Sequence, residues 1–372
     1  MDRENKTFFI TAAAVVVIAA SLPFLFDAKR EREERRETAA AEFLAAPLRE
    51  RMEGDSDILA ASVSVVETGT GRKPYSILLA RYGNGEEIRK DLYSIDRVPV
   101  LPGGMMQAPA LTFFIDKKYV KPGTRVSTNH GIVPKLGPEG SVAADPVILS
   151  YEMTTGKDSI SVREGFLMSS RYVVDRIALD NEDRTWRDFI DKLDDYFGSS
   201  EAYFVPRVWD RMLFRPEYAS IVDGHGIHLS QAQVLTFYDA IANGGIRPRH
   251  RYLRSRRVCS EETAAVMAGL LEDNVANGTG VLLAGHPARI AGKTGSGVLR
   301  HGYVPGIARV EPRQPVGVAS FVGFFPSEAP RYTMCTTFYF KTADGSRGAA
   351  IPMDAFGEIA GKLYEEGMPW KK

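Results

Sequence analysis

Between Phe8 and Phe26 the chain reads FFITAAAVVVIAASLPFLF, an apolar run without a charged residue. As a helix rising about 1.5 Å per residue it spans ~28 Å, the thickness of one bilayer core. The run is longer than the apolar stretch of a signal peptide, and no clear small-x-small cleavage site precedes the charged residues beyond it. It also lacks the polar stripe of a helix packed in a soluble core, so the pattern predicts an uncleaved transmembrane anchor over 8–26 behind a short tail, 1–7. From 27 to 55 the chain is rich in charged helix formers, with Phe43, Leu48 and Met52 as the main apolar positions, which predicts a helical stalk. The mixed signs of its charges fit a solvated helix face laced with i,i+4 pairs better than a lipid-binding patch.

From 56 to 372 the pattern changes to that of a folded α+β domain. Ser56–Glu67 ends in alternating Ser and Val, Thr68–Gly71 is a turn, and Tyr75–Arg81 is a second strand, which together predict a β-hairpin. The region from about 105 to 270 is dominated by helical periodicity, including Val162–Leu179, Thr185–Tyr196 and Ser230–Asn243. Three strand-like runs bounded by Gly and Pro follow, Ala288–Ser296, Val316–Phe325 and Tyr332–Phe340, and then the amphipathic segment Met353–Glu366. Strands at both ends with helices between them predict one mostly antiparallel sheet assembled from the two ends of the domain and surrounded by helices.

Charge and composition narrow the function classes. Lys plus Arg and Asp plus Glu both number 47, so the formal net charge is zero and no bulk electrostatic argument favours nucleic acid. Two cysteines, Cys259 and Cys335, neither in a CxxC, supply neither a disulfide framework nor a four-thiolate zinc site, although one disulfide between them is compatible with the sequence. Asp223, His225 and His228 in DGHGIH have the look of metal ligands, but no further ligand clusters near them in sequence, so loop residues and no metal are expected. Around the apolar run, Arg3 and Lys6 precede it and Lys29, Arg30, Arg32, Arg35 and Arg36 follow it. Counting positive charges therefore places the C-terminal side inside.

Several stretches carry a family resemblance when taken in order: Val66–Gly71, Ser161–Ser170, Leu229–Ser230 through Gly245, Arg289–Ser296 and Ser320–Pro326. Together they resemble the transpeptidase domain of class B penicillin-binding proteins, which cross-links peptidoglycan stem peptides and is acylated by β-lactams. The resemblance implies the penicillin-binding protein and serine β-lactamase-like fold, a bacterial inner-membrane location with the domain on the outer side, against the charge count, and no cofactor. It leaves no room for the family's usual pedestal domain between anchor and first strand.

The departures fall on the chemistry. The family's S-x-x-K motif supplies a nucleophilic Ser and a Lys three residues later. The corresponding segment here is Pro102–Pro109, with Gly104 at the serine position and Gln107 at the lysine position, and shifting the register by one gives Met105 and Ala108. No serine in the chain has Lys at i+3, and no G-x-S-x-G occurs. The S-x-N motif reads Ser169-Ser170-Arg171, a permanent cation in place of an amide. Lys293-Thr294-Gly295 is intact and, by resemblance, lies on an edge strand facing the substrate carboxylate.

Ser169, Lys293, Thr294 and Gly295 are thus the candidate substrate-binding residues, and no catalytic set is complete. Arg171 and Lys293 are expected to share a groove, which calls for a compensating carboxylate from Glu164, another acidic side chain or a peptide terminus. The resulting expectation is a membrane-anchored pseudo-transpeptidase of peptidoglycan synthesis or cell division. It would act as a scaffold or peptide binder that contacts other cell-wall proteins. The alternative is an active D,D-transpeptidase or carboxypeptidase with a rerouted nucleophile, about which removal of a nucleophile is informative, since such losses cost ~10⁶ in rate.

Overall fold

The computed structural model describes residues 31–32, 34–36, 38–82, 87–90, 99–127, 132–133, 147–148, 157–198, 221–224, 226–249, 254–299, 315–341 and 348–371. The apolar run 8–26 and His225 lie outside them. Among the described residues no helix is long and apolar enough to cross a membrane.

A six-stranded antiparallel sheet organises the domain. Its strands are β1 (Ile58–Glu67), β2 (Tyr75–Tyr82), β3 (Glu87–Lys90), β4 (Ala291–Leu299), β5 (Val316–Phe325) and β6 (Tyr332–Phe340), in the spatial order β4-β5-β6-β1-β2-β3. The hairpin expected at the start of the domain is β1–β2. The central pair joins the two ends of the domain, with Val65 opposite Met334 and Val63 opposite Thr336. β4 is the outer strand at one end of this order and carries Lys293-Thr294-Gly295.

Both faces of the sheet are covered. On one lie α1 (38–54) and α8 (Ala350–Glu366), whose apolar side chains join Val63, Val65, Phe321, Phe325 and Met334 in one core. On the other lie the helices of the middle region: α2 (Gln107–Asp116), α3 (Val162–Leu167), α4 (Arg171–Asp180), α5 (Glu182–Phe197), α6 (Gln231–Ala242) and α7 (Glu261–Asn277). Their core includes Phe113, Phe114, Phe166, Phe189 and Phe237 and reaches the sheet at Val66, Val322, Phe324 and Cys335.

The Ser/Val alternation of β1 has the look of a strand wet on one side, yet Ser62 and Ser64 are buried. At Ser64 the reason is α6, whose Gln231 accepts a hydrogen bond from the Ser64 hydroxyl at 3.1 Å and donates to the Cys335 carbonyl at 2.9 Å, so amide and hydroxyl groups line part of this contact. Cys259 and Cys335 are both buried free thiols, and burial pushes each up to about 12.

Two expectations need correction. The segment 162–179 is not one helix: it breaks into α3 and α4, because Ser170 turns extended and its hydroxyl caps the next helix by accepting from the Val173 N–H. The second half of the charged 27–55 segment is also more than a solvated stalk. In α1, Ala40, Leu44, Leu48 and Met52 recur every fourth residue and are buried against the sheet and α8.

Candidate functional site

Three local features converge on β4. The first is a 3-10 turn, Gly103–Met106, which leads into α2. The Tyr238 hydroxyl of α6 donates to the Met105 carbonyl at 2.9 Å and anchors this turn from below. The loop 221–224 crosses it, with the Gly103 N–H donating to the Gly224 carbonyl at 3.1 Å. Gly224 has φ +81°, and a Cβ there would lie 2.4 Å from the Gly103 oxygen, so only glycine allows this crossing.

The second feature is the α3–α4 break. Ser161 opens α3 with a reciprocal capping box to Glu164, and the helix ends as Ser169 enters the left-handed region at φ +58°. This conformation costs a non-glycine residue ~1–2 kcal/mol. It leaves the Ser169 hydroxyl facing β4.

The third is the end of α7. Asn274 donates through its side-chain amide to the Gly292 carbonyl at 2.9 Å, fixing the helix to the strand. Thr279, just beyond, accepts from Thr294 Oγ1 at 2.8 Å and from Lys293 Nζ at 3.4 Å.

Lys293 is the centre of the arrangement. Its side chain is fully buried, its ammonium donates to Ser169 Oγ at 2.8 Å, and it lies 5.2 Å from the centre of the Phe166 ring. Burial alone pushes it down to about 7, roughly the pH at which an amine of this kind exchanges between base and acid.

Gly104 faces the same group. A Cβ at position 104 would lie 2.5 Å from Ser169 Oγ, 2.9 Å from the Thr294 carbonyl and 3.7 Å from Lys293 Nζ. The structure therefore brings Gly104, Ser169, Thr294 and Gly295 together around a cavity of about 340 Å³, which Arg171 and Ser296 also line, with Lys293 buried against Ser169. Lys293 is reached from this space through the Ser169 hydroxyl.

Gln107 is different. It is fully buried, and among the described residues neither its amide nitrogen nor its amide oxygen has a hydrogen-bond partner. An unpaired buried amide costs ~1–3 kcal/mol, so Gln107→Leu is expected to stabilise the fold by about 1 kcal/mol in urea denaturation. A loss of several kcal/mol instead would show that the amide holds the turn in place.

Arg171 opens α4 at the rim of the cavity, half exposed. Its Nε donates to Oδ2 of the buried Asp223 at 2.7 Å. The carboxylate expected to compensate it is thus an internal one, 52 residues away in sequence, and not Glu164. Glu164 instead accepts from Lys157 at 2.8 Å and from the Ser161 N–H at 2.7 Å, and these contacts hold it down at about 2.

Asp223 belongs to the DGHGIH stretch, so one of its three apparent ligands is committed to an ion pair. Burial, with Asp223 nearby, holds the Asp175 carboxyl above the ordinary carboxylate range, against the pull of Arg171. Among the described residues no three His, Cys, Asp or Glu side chains gather to hold a metal ion.

Thr279 and Asn274 are site residues that the sequence pattern does not single out, and Asp223 is marked there only as an apparent metal ligand, because each acts across a long sequence separation through a loop or helix end.

The profile described as the penicillin binding protein transpeptidase domain matches residues 115–357, more than half of the chain, and the chain belongs to this family. The match begins beyond the segment containing Gly104 and Gln107. Identity is 32% over 144 residues with the probable peptidoglycan D,D-transpeptidase FtsI of Caulobacter vibrioides, a stretch covering 34% of this chain and 22% of that protein, so the chain spans under a quarter of that relative's length.

Among solved structures, the TP domain of Burkholderia pseudomallei penicillin-binding protein 3 superposes with a TM-score of 0.64 at 19% identity, covering 88% of this chain and 94% of the other. A peptidoglycan glycosyltransferase from Burkholderia ambifaria gives 0.63 at 20% identity, covering 88% and 95%. At these identities the likeness is one of fold.

Proposed function

We propose that this chain is a membrane-anchored, penicillin-binding-protein-like component of bacterial peptidoglycan synthesis or division that binds stem peptide and contacts other cell-wall proteins without turning the peptide over. The observation that carries this reading is the cleft itself. The position that would present a nucleophile to Lys293 is Gly104, which has no side chain, and position 107 holds an amide without hydrogen-bond partners among the described residues.

The binding half of the groove keeps its parts: Thr294 beside Thr279 on β4, Gly295 and Ser296 along the cavity wall, and an open volume of about 340 Å³. The apolar run 8–26 supports the anchor, and tethering would raise the effective concentration of the domain for other anchored proteins.

Calorimetry of the full-length chain in detergent with a synthetic stem peptide is the test. Reversible binding without multiple-turnover release of the terminal residue is expected. Catalytic release, or no binding, would overturn the reading.

Restoring the family residues is not expected to restore turnover. In Gly104→Ser/Gln107→Lys, the new Cβ would meet both Ser169 Oγ and the Thr294 carbonyl inside 3.0 Å, and the added lysine would bring a charge into a fully buried position. Overpacking of this kind costs ~1–3 kcal/mol, so a lowered melting temperature and an undetectable turnover rate are expected.

A further inference from the structure

The geometry points to a membrane-docking face at one end of the sheet, where exposed cations of the β1–β2 connection and of the arginine-rich stretch after α6 rest on the anionic phospholipid headgroups of the bilayer that holds the apolar run 8–26. This rests on the proposed anchor and deepens it by naming the surface that the domain turns to that bilayer.

The stretch 246–257 holds six arginines and no acidic residue, in a chain whose formal net charge is zero. Its two ends pair, Ile246 opposite Arg257 and Arg247 opposite Arg256. Arg247 is buried and ties this pair to the end of α5 by donating to the Asp194 and Asp195 carbonyls at 3.1 and 2.8 Å. The arginines around it, Arg249, Arg254, Arg256 and Arg257, are exposed, and so are Arg72 and Lys73 between β1 and β2. These two sets of cations are neighbours. A Cβ on Gly71 would run into the Arg249 carbonyl, and the Gly69 N–H donates to Asp239 Oδ1 of α6 at 3.0 Å.

Neutralisation is partial. Glu67 pairs with Arg72 at 3.1 Å and Asp195 with Arg256 at 2.7 Å. Arg257 donates to the Gly244 and Cys259 carbonyls, which carry no countercharge. Among the described residues no carboxylate pairs with Lys73, Arg249, Arg254 or Arg257.

The path of α1 commits this face to a bilayer. Met52 lies at the Arg81 end of β2, where Arg81 donates to the Met52 and Asp55 carbonyls, and Phe43 lies at the Tyr75 end, where both rings meet Trp370 with centres 5.2 Å apart. Followed backwards, the helix therefore leaves the sheet at the end that carries Arg72 and Lys73. From Phe43 back to Glu31 a helix extends ~18 Å, and the five links from there to Phe26 add ~17 Å at most. The basic face is thus on the side from which the apolar run enters, within ~35 Å of it, and a lean of the domain brings its cations to the headgroups. An acidic protein could approach from any side; the bilayer is held at this one.

A Lys or Arg beside an anionic membrane surface strengthens binding ~5-fold, and the attraction fades within a Debye length, ~10 Å at 0.1 M salt and ~3 Å at 1 M. The test places the full-length chain in nanodiscs of phosphatidylcholine, or of phosphatidylcholine mixed with phosphatidylglycerol. Its arginines are modified with phenylglyoxal and mapped by mass spectrometry. At low salt Arg249 and Arg254 are expected to react at least ~5-fold more slowly in the anionic discs, and equally in both at about 1 M salt. Arg176 on α4, half exposed beside Asp180, should react alike throughout. Lys73→Glu reverses an exposed charge, should leave the melting temperature unchanged, and should return part of the lost reactivity to Arg249 and Arg254.

Equal reaction in both discs by an incorporated chain would overturn the docking and leave the basic face to an acidic protein. Protection that survives high salt, or that Lys73→Glu leaves untouched, would also overturn it. The anchor fails separately: a chain that elutes apart from the discs refutes the anchor, and the docking with it.

Discussion

A chain that begins at residue 56 is expected to lose its stable fold, whereas one that begins at residue 31 should keep it. Both lack the apolar run, and the second retains α1. Ala40, Leu44, Leu48 and Met52 of that helix are each buried to within 2% of full burial, and Phe43 stacks edge-on against Trp370 with ring centres 5.2 Å apart.

Removing a single buried Leu side chain costs ~2–5 kcal/mol, and total domain stability is ~5–15 kcal/mol, so losing the whole face is comparable with all the stability there is. Polar ties go with it. Arg51 pairs with Asp354 at 2.8 Å and Glu358 at 2.7 Å on α8, and Arg81 of β2 donates to the carbonyls of Met52 and Asp55 that end the helix. Thermal melts followed by circular dichroism distinguish the two chains, and equal melting temperatures would show that α1 is dispensable.

The second large effect is at Lys293. Lys293→Met is expected to stabilise the protein at neutral and mildly acidic pH and to remove most of its stability gain on going alkaline. Burial lowers the folded-state value from 10.5 to about 7, so between these limits the unfolded chain binds more protons. The Lys293 contribution to wild-type stability therefore rises with pH across that window, and below about 7 the folded state bears the full penalty of a buried ammonium. The shift corresponds to ~5 kcal/mol at most, and methionine fills much of the same volume without charge.

Asp239 works in the opposite sense at lower pH. Burial pushes it up to about 6, against hydrogen bonds from the Gly69 N–H and Thr333, so its contribution falls as pH rises from 3.8 to about 6. The quantity compared is therefore the difference between variant and wild type, by urea denaturation at about pH 6.5 and about pH 9.5, in which the contributions of Asp239 and of Asp175, pushed up to about 8 by burial, are common to both chains. A variant no more stable than wild type at the lower pH would mean that Lys293 is compensated by a group other than Ser169, Thr279 and Phe166.

The strands were the easiest part of the fold to read. Val316–Phe325 and Tyr332–Phe340 stand at their sequence-predicted bounds, because long apolar runs closed off by Pro and Gly have few other ways to be buried. The break at Met168–Ser170 was harder. Apolar spacing continues through it, and only the paired serines hint that a hydroxyl will cap a new helix.

The packing of α1 had a signal in the four-residue spacing of Ala40, Leu44, Leu48 and Met52, but the dense charge around it outweighed that signal. At the site, the motif positions were legible as letters and their environments were not. Nothing local says that Lys293 is sealed from solvent, that Arg171 leans on Asp223, or that the space before Gly104 is bordered by Ser169. These depend on the approach of α7, the 221–224 loop and the α3–α4 break, each brought in by tertiary packing.

The pairing of β1 with β6 also has a consequence for the order of events in the life of the chain. These two strands form the centre of the sheet, yet Val65 and Met334 are separated by about 270 residues. At a synthesis rate of ~5–20 residues per second, β1 and α1 exist for ~15–50 s before their partner strand is made. During that interval the apolar faces of both are uncovered and the edge of the β1–β2 hairpin is open, a template for pairing with other chains. The last strand therefore has to reach β1 before that open edge pairs with another chain, which sets folding in competition with aggregation for as long as synthesis lasts.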